Sequence, residues 1–282
     1  MNSSNWWGKM QDECLVVLDT GPVRELAHAT EIPGWVGMFS RMVADGYRFS
    51  LAEHACAELM NQRSKGAIGG FATMIEYLNR FLDAGMPVRL GGRDILRAIG
   101  AAEADETLSA PSEVSQFAWS ELCKQEVQVE PRVEPLLEEE RTEWKELFRK
   151  TDKIYEEWER PELDEDEHPL LDAVSASMDN GAILSPPLSL RWDLRTRYFW
   201  RQFVRHKKAK EPYNPHAKKK RNDGIDFGLF AYLALPALGI ASESGFHEKI
   251  ANIRSFQTGW IYRPTELAQA WTDGEQPQPQ WP

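Results

Sequence analysis

The chain is poor in cysteine, in long apolar runs and in positive charge. Its 282 residues hold three cysteines, Cys14, Cys56 and Cys123, none at metal-ligand spacing. That usage excludes a disulfide framework or a zinc module and suits reduced thiols in a cytosolic protein. Nowhere do about eighteen apolar residues follow one another, and the opening MNSSNWWGKMQDE has no basic stretch leading into an apolar one. Neither a membrane span nor a secretory signal is expected, and a soluble, cytoplasmic protein is the reading. The formal net charge of −11 would disfavour a polyanionic partner if it were evenly spread. It is not: from Arg191 to Arg221 twelve Lys/Arg accompany two acids, Asp193 and Glu211, a local balance of +10 that leaves −21 elsewhere.

What is present is organised around Cys14 to Pro22, CLVVLDTGP, an apolar run that ends in one acid and a helix-opening turn. It reads as the central strand of an α/β sheet. In open sheets of this class the ligand crevice lies outside the carboxyl ends of the strands, which is where Asp19 would stand. A plain buried strand whose Asp caps the next helix fits these nine residues equally well.

Thr20 as a cap and Pro22 in the first turn begin a helix through about Ala29. Helical spacing from Trp35 to Ala44 gives the next, and Asp45-Gly46 leads into a short strand, Tyr47 to Phe49, after which Ser50 would cap a helix from Leu51 to about Arg63. That helix carries Glu53 and Glu58, five positions and roughly 140° apart, so they cannot share a face. Glu53 lies in the first turn, where an acid complements the helix dipole, whereas Glu58 sits among apolar neighbours and is the better functional candidate. A helix from Phe71 to Ala84, a strand from Met86 to Leu90 and a helix from Asp94 to Ala102 continue a βα alternation, the pattern of a mostly parallel sheet with covering helices.

The middle of the chain is different. Glu126 to Asp172 holds eighteen acids and seven bases, with a long amphipathic helix from about Glu134 to Glu159 and an acidic loop, ELDEDEHP. Contiguous carboxylates repel, so Asp164, Asp166, Glu167 and His168 read as a solvated turn rather than a metal loop. The acidic helix could serve as a partner surface or mimic nucleic acid and cover the basic patch. After a helix from Leu170 to Asn180, the segment Trp192 to Lys208 is a basic helix interleaved with Tyr198, Phe199, Trp200 and Phe203. Aromatic and basic residues in alternation suit single-stranded nucleic acid, with stacking beside phosphate contacts; inward aromatics under a solvated Arg face are the other reading. Arg201, Arg205, Lys207, Lys208, Lys218, Lys219, Lys220 and Arg221 are the candidate RNA contacts.

The basic loop KEPYNPHAKKKR, residues 210–221, runs into NDGIDFGLFAYLAL, a helix start capped by Asn222 with Asp223 and Asp226 on neighbouring positions of one face. A strand from Gly239 to Ala241, a helix from Gly245 to Ala251 and a last strand from Ile253 to Phe256 follow, and the Pro/Gln-rich tail 271–282 reads as disordered.

LVVLDTGP with Asp19, AELM with Glu58, and RNDGIDF with Asp223 and Asp226 together resemble the PIN-domain nucleases, over Cys14 to Leu90 and Asn222 to Phe256. The resemblance implies a three-layer α/β/α fold with a central, mostly parallel sheet of about five strands. Residues 1–92 and 222–270 would form its two halves, and 93–221 a large helical insertion. It also implies that Asp19, Glu58, Asp223 and Asp226 hold Mg²⁺ or Mn²⁺ and that hydrolysis leaves a 5′-phosphate. Where the family pattern has Thr and Asp after a late strand, ASESGF places Ser242 and Ser244, with Glu243 the only acid; Ser242 and Glu243 are lesser contributors.

The chemistry is coherent apart from the name. Hydrolysing a phosphodiester requires neutralised phosphate oxygens and an activated water, which divalent ions held by carboxylates provide. The expectation is a metal-dependent endoribonuclease acting on single-stranded RNA. Toxins, antiviral effectors and RNA-processing enzymes would present the same site, with an antitoxin, another regulatory protein or a second copy of the chain as protein partner. A degenerate domain that binds RNA or protein without cutting is the alternative, and a flavodoxin-like regulatory fold would leave Glu58 and Asp223 away from Asp19.

Overall fold

The computed structural model describes residues 13–66, 68–102, 110–124, 133–158, 162–166, 169–179, 184–208, 213–220 and 222–282. Glu167, His168 and Arg221 lie outside the described residues. The order is β1 (Cys14–Leu18), α1 (Thr20–His28), α2 (Gly34–Met42), β2 (Tyr47–Ala52), α3 (Glu53–Ser64), α4 (Phe71–Leu78), β3 (Val88–Arg89), α5 (Gly92–Ala98) and α6 (Pro111–Cys123). There follow α7 (Val133–Glu157), α8 (Pro169–Asp179), α9 (Leu188–Arg191), α10 (Asp193–Lys208), α11 (Asp223–Leu229), β4 (Ala237–Ile240), α12 (Ser244–Ile250), β5 (Ile261–Tyr262) and α13 (Pro264–Thr272).

The strands form one five-stranded sheet in the order β3-β2-β1-β4-β5, every pair parallel. β1 is buried along its whole length, as expected of an apolar run covered on both faces in an α/β protein. Its register, Val17 opposite both Ser50 and Gly239, brings the ends of β1, β2 and β4 to one edge. The chain leaves β1 toward β2 on one side and returns through β4 on the other, so the strand order reverses between β1 and β4. In a parallel sheet that reversal opens a crevice at the carboxyl ends, and Asp19 is the first residue beyond β1.

The long acidic helix is part of this core. α7 lies across α3 and α11, and Trp144, Phe148, Tyr198 and Phe199 join the same continuous cluster of buried side chains as the strands. Close approach is secured by glycine: a Cβ on Gly224 would stand 2.8 Å from Trp144 Cβ and 2.9 Å from the Glu140 carbonyl. The helices therefore meet nearly backbone to backbone.

Several local expectations are corrected. Ser50 does not cap a helix. β2 continues to Ala52 because the Ser50 hydroxyl is satisfied inside the core, donating to the Met86 carbonyl at 2.7 Å. The last strand is Ile261–Tyr262, not 253–256, since Ser255 turns the chain into a 3₁₀ segment, Phe256–Trp260, by accepting the Gln257 amide. Fully buried Gln257 then ties that turn to the Leu194 amide and to the Arg191 and Leu233 carbonyls. The tail is packed rather than disordered: Tyr47 donates to the Pro277 carbonyl at 2.9 Å, and Trp281 meets Trp260 edge to face. Its proline and glutamine content predicts poor burial, but one tryptophan supplies enough apolar surface to anchor it. Among the described residues, no helix is long and apolar enough to cross a membrane.

Candidate carboxylate site

Asp19 is held where the strand order reverses: its amide donates to the Ile240 carbonyl at 2.9 Å, joining the exits of β1 and β4. Its backbone is the N-cap of α1, yet its side chain makes no capping bond and is left for the crevice. Asn222 is the N-cap of α11 as expected, though its side chain makes no capping bond, whereas Thr20 lies inside α1; both side chains reach across to Glu58. The Thr20 hydroxyl donates to Glu58 Oε2 at 2.6 Å, and Asn222 Nδ2 lies 3.4 Å from Oε1. α3 thus turns Glu58 toward Asp19, while Glu53, on the opposite side, accepts the Gly91 amide at 2.8 Å and secures the β3 exit.

α11 brings the other two acids. Asp223 is buried, with Tyr213 donating to its Oδ2 at 2.9 Å and Lys220 Nζ 3.6 Å away. Asp226, one turn on, shares Lys249 with it: Nζ lies 3.5 Å from Asp223 Oδ1 and 3.4 Å from Asp226 Oδ2. The four acids come from three separate segments: Asp19 couples by charge to both Glu58 and Asp226, and Lys249 joins Asp226 to Asp223.

Their charges act on one another. Burial, reinforced by the charge of Asp19 and opposed by Lys249, pushes the Asp226 carboxyl up to about 7. Burial also raises Glu58, with Asp19 adding to the rise and the Thr20 hydrogen bond and His54 resisting it. The site is thus short of positive charge, which like-charged carboxylates in a low-dielectric crevice report as raised affinity for protons.

Two residues that complete the site carried little signal. His54 Nε2 stands 3.7 Å from Asp19 Oδ1, on a fully buried ring. Burial alone would lower its pKa, but Asp19, Glu58 and Glu140 together raise it above the ordinary value. Its spacing of four from Glu58 places both on one face of α3, a pattern visible in EHACAELM. Lys249 comes from α12, and nothing in its local sequence marks it out.

Ser242 and Glu243 differ from each other. A Cβ on Gly21 would lie 3.0 Å from Ser242 Oγ, so the β4 exit packs tightly on the turn after Asp19. Glu243 turns away to Arg24 at 3.5 Å and is well exposed. Both line, with Gly21, Arg24, His28 and Gln62, an open cavity of about 540 Å³ beside the crevice.

The basic helix is arranged unlike its expected stacking platform. Tyr198, Phe199, Trp200 and Phe203 are buried in the core, so the inward reading of the aromatics holds. Arg201, only 5% exposed, lies within 3.3 Å of Glu165 and 3.5 Å of Asp166 and donates to the Asn252 carbonyl. Arg205 also pairs with Glu165, Lys207 with Asp152 at 2.5 Å, and Lys208 donates to the Leu163 carbonyl. The acidic loop and α7 thus sit against the basic face. Lys218, Lys219 and Lys220 form a short 3₁₀ turn, none of them buried, leading to Asp223.

Among the described residues, no group of three or more His, Cys, Asp or Glu side chains is arranged to hold a metal ion. The chemistry of the donors nonetheless fits a hard divalent cation: Asp19, Glu58, Asp223 and Asp226 offer only oxygen, and an ammonium group already bridges two of them. Compared with family models, curated proteins and solved structures, the chain matches none.

Proposed function

We propose that this protein is a Mg²⁺- or Mn²⁺-dependent endoribonuclease of PIN-like, three-layer α/β/α architecture that hydrolyses single-stranded RNA. The observation that carries the reading is the convergence of Asp19, Glu58, Asp223 and Asp226 at the point where the order β3-β2-β1-β4-β5 reverses. Acids drawn from separated segments into one crevice repel, and a cation-dependent function is what such an arrangement serves.

When bound, a divalent ion supplies charge neutralisation at the phosphate and an acidified water. The chain does the positioning. Thr20 and Asn222 orient Glu58, His54 steadies Asp19, and Tyr213 fixes Asp223. Lys218, Lys219 and Lys220, beside the acidic crevice, offset its repulsion for a polyanion, and the cavity lined by Arg24, His28 and Gln62 has room for a nucleotide next to the cut.

The test is cleavage of single-stranded RNA in Mn²⁺ or Mg²⁺ by wild type and Asp19→Ala. The variant is expected to lose more than about a hundredfold, since even the outer partners of metal ligands are worth roughly 10–100-fold. Equal rates would defeat the proposal. The second reading, a non-cleaving RNA- or protein-binding domain, is favoured by Ser242 and Ser244 in the exit from β4. It predicts that calorimetry detects no divalent ion binding.

A further inference from the structure

The four acids do not share their surroundings equally. Asp223 has both oxygens engaged, Oδ1 facing Lys249 at 3.5 Å and Oδ2 facing Tyr213 at 2.9 Å and Lys220 at 3.6 Å. Asp226 Oδ2 faces the same Lys249 ammonium at 3.4 Å. Asp19 and Glu58 have no lysine against them among the described contacts; their neighbours are His54, Thr20 and Asn222. The cluster therefore has one half with an ammonium between its two carboxylates, and one half whose cationic neighbours are the His54 ring and, from farther off, Arg24.

The resident cation comes from a definite place. The chain leaving β4 turns Glu243 outward to Arg24 and packs Ser242 on Gly21, and one helix later it returns Lys249 to the crevice. The segment beyond β4 thus contributes an ammonium to the two acids of α11. The Lys249 side chain is 29% exposed, and its ammonium, within 3.5 Å of two carboxylates, occupies the space a second metal ion would need and offsets part of the charge that would draw it.

Resting on the metal-dependent reading above, we infer that Lys249 is a built-in cation of the Asp223–Asp226 half, so that the crevice takes one divalent ion, on Asp19 and Glu58 with Asp226 between the halves. Paired ions in phosphodiester chemistry stand about 3.5–4 Å apart and need carboxylates to screen them from each other. Here the acid pair that would screen them already faces one ammonium, which offsets part of its charge. The Lys249 ammonium then supplies one fixed positive charge to Asp223 and Asp226, half that of a divalent ion, with no dependence on metal concentration.

Metal-free full-length protein is titrated with Mn²⁺, bound ions being counted by calorimetry and by loss of the free-ion electron paramagnetic resonance signal. Wild type is expected to take up one Mn²⁺ per chain. Lys249→Met, which keeps the side-chain length but not the charge, takes up two, and Lys249→Arg one. Asp19→Ala loses the wild-type ion, and the double variant Asp19→Ala/Lys249→Met keeps only the one on Asp223 and Asp226. Circular dichroism in chelator establishes that each variant is folded, and Lys249→Ala serves if the methionine variant is not. Two ions in wild type, or one in the folded uncharged variant, overturns the inference while leaving a metal-dependent enzyme. No ion in wild type defeats the metal reading, and the inference with it.

Discussion

Two regions of this molecule are rich in charge of one sign, and the structure treats them oppositely. In the crevice after β1, acids from three segments face one another with too little cation, so that Asp226 is pushed up to about 7. On α10 the bases are matched: Glu165, Asp166 and Asp152 come from the acidic segments to meet Arg201, Arg205 and Lys207. A local excess of charge in the sequence therefore does not say whether that charge is available. What decides it is whether the fold delivers the opposite sign to the same place, because Coulomb interactions act over a few ångströms of space and not along the chain.

The comparison can be broken most sharply at its ends. Asp19→Ala is expected to lower RNA cleavage by more than about a hundredfold with little loss of fold, as measured by rate and by circular dichroism. Arg201→Ala is expected to do the reverse. It leaves Glu165 and Asp166 without their buried partner, so urea denaturation should show a loss of about 2–3 kcal/mol, discounted from the full value of a buried pair because both acids are partly exposed. An Arg201→Ala protein of unchanged stability and much weaker RNA binding would mean that the basic helix is a free surface after all.

Gly224→Ala probes the contact between the acidic helix and the site. A methyl group there meets Trp144 Cβ and the Glu140 carbonyl, neither of which can swing aside, and should cost about 1–3 kcal/mol in thermal or urea unfolding.

The pH dependence sharpens the crevice side. Asp226 is raised in the folded protein, so between its unfolded value near 4 and about 7 the native state binds more protons than the unfolded one. Stability then falls as pH rises through that window. His54, also raised, contributes in the same direction: its stabilisation is present below its unfolded value and lost as pH climbs through the folded one. In chelator, unfolding free energy should therefore drop from pH 5 to 8. Asp226→Asn should flatten that slope, on the order of 1 kcal/mol after allowance for a side chain one-third exposed. A slope that the variant leaves intact would place the excess proton elsewhere. The smallest effect belongs to the lysine turn. Replacing Lys218, Lys219, Lys220 and Arg221 together should weaken RNA binding several-fold and reduce its salt slope, read from affinities at two ionic strengths.

Much of this architecture is written locally. CLVVLDTGP announces a fully buried parallel strand because every position is apolar until Asp19, and βα alternation through Leu90 follows from the switch between short apolar runs and helical spacing. The long acidic helix differs from its expected bounds by one or two residues. Helical angle put Glu58 and Glu53 on different faces, and the apolar neighbours of Glu58 with the first-turn position of Glu53 separated their roles. The failures share a cause. Ser50 and Thr20 are good cap residues by type, yet each side chain bonds to a group from another segment, Met86 for the first and Glu58 for the second; Asn222 does sit at the N-cap of α11, but its side chain also turns to Glu58. The final strand and the packed tail depend on Gln257 and Trp281 finding partners far along the chain.

By itself, the sequence determined the α/β class and the placement of Asp19 at a strand's carboxyl end, since these follow from periodicity and residue type; Glu58, Asp223 and Asp226 were named beside it through the resemblance to PIN-domain nucleases. Only the tertiary structure decided that Arg201 is buried among acids, that His54 stands beside Asp19, and that Lys249 lies between Asp223 and Asp226. The reason is physical. Hydrophobic pattern acts through nearest neighbours along the chain, whereas charge compensation and hydrogen-bond satisfaction are settled by whichever group the completed fold brings within about 4 Å.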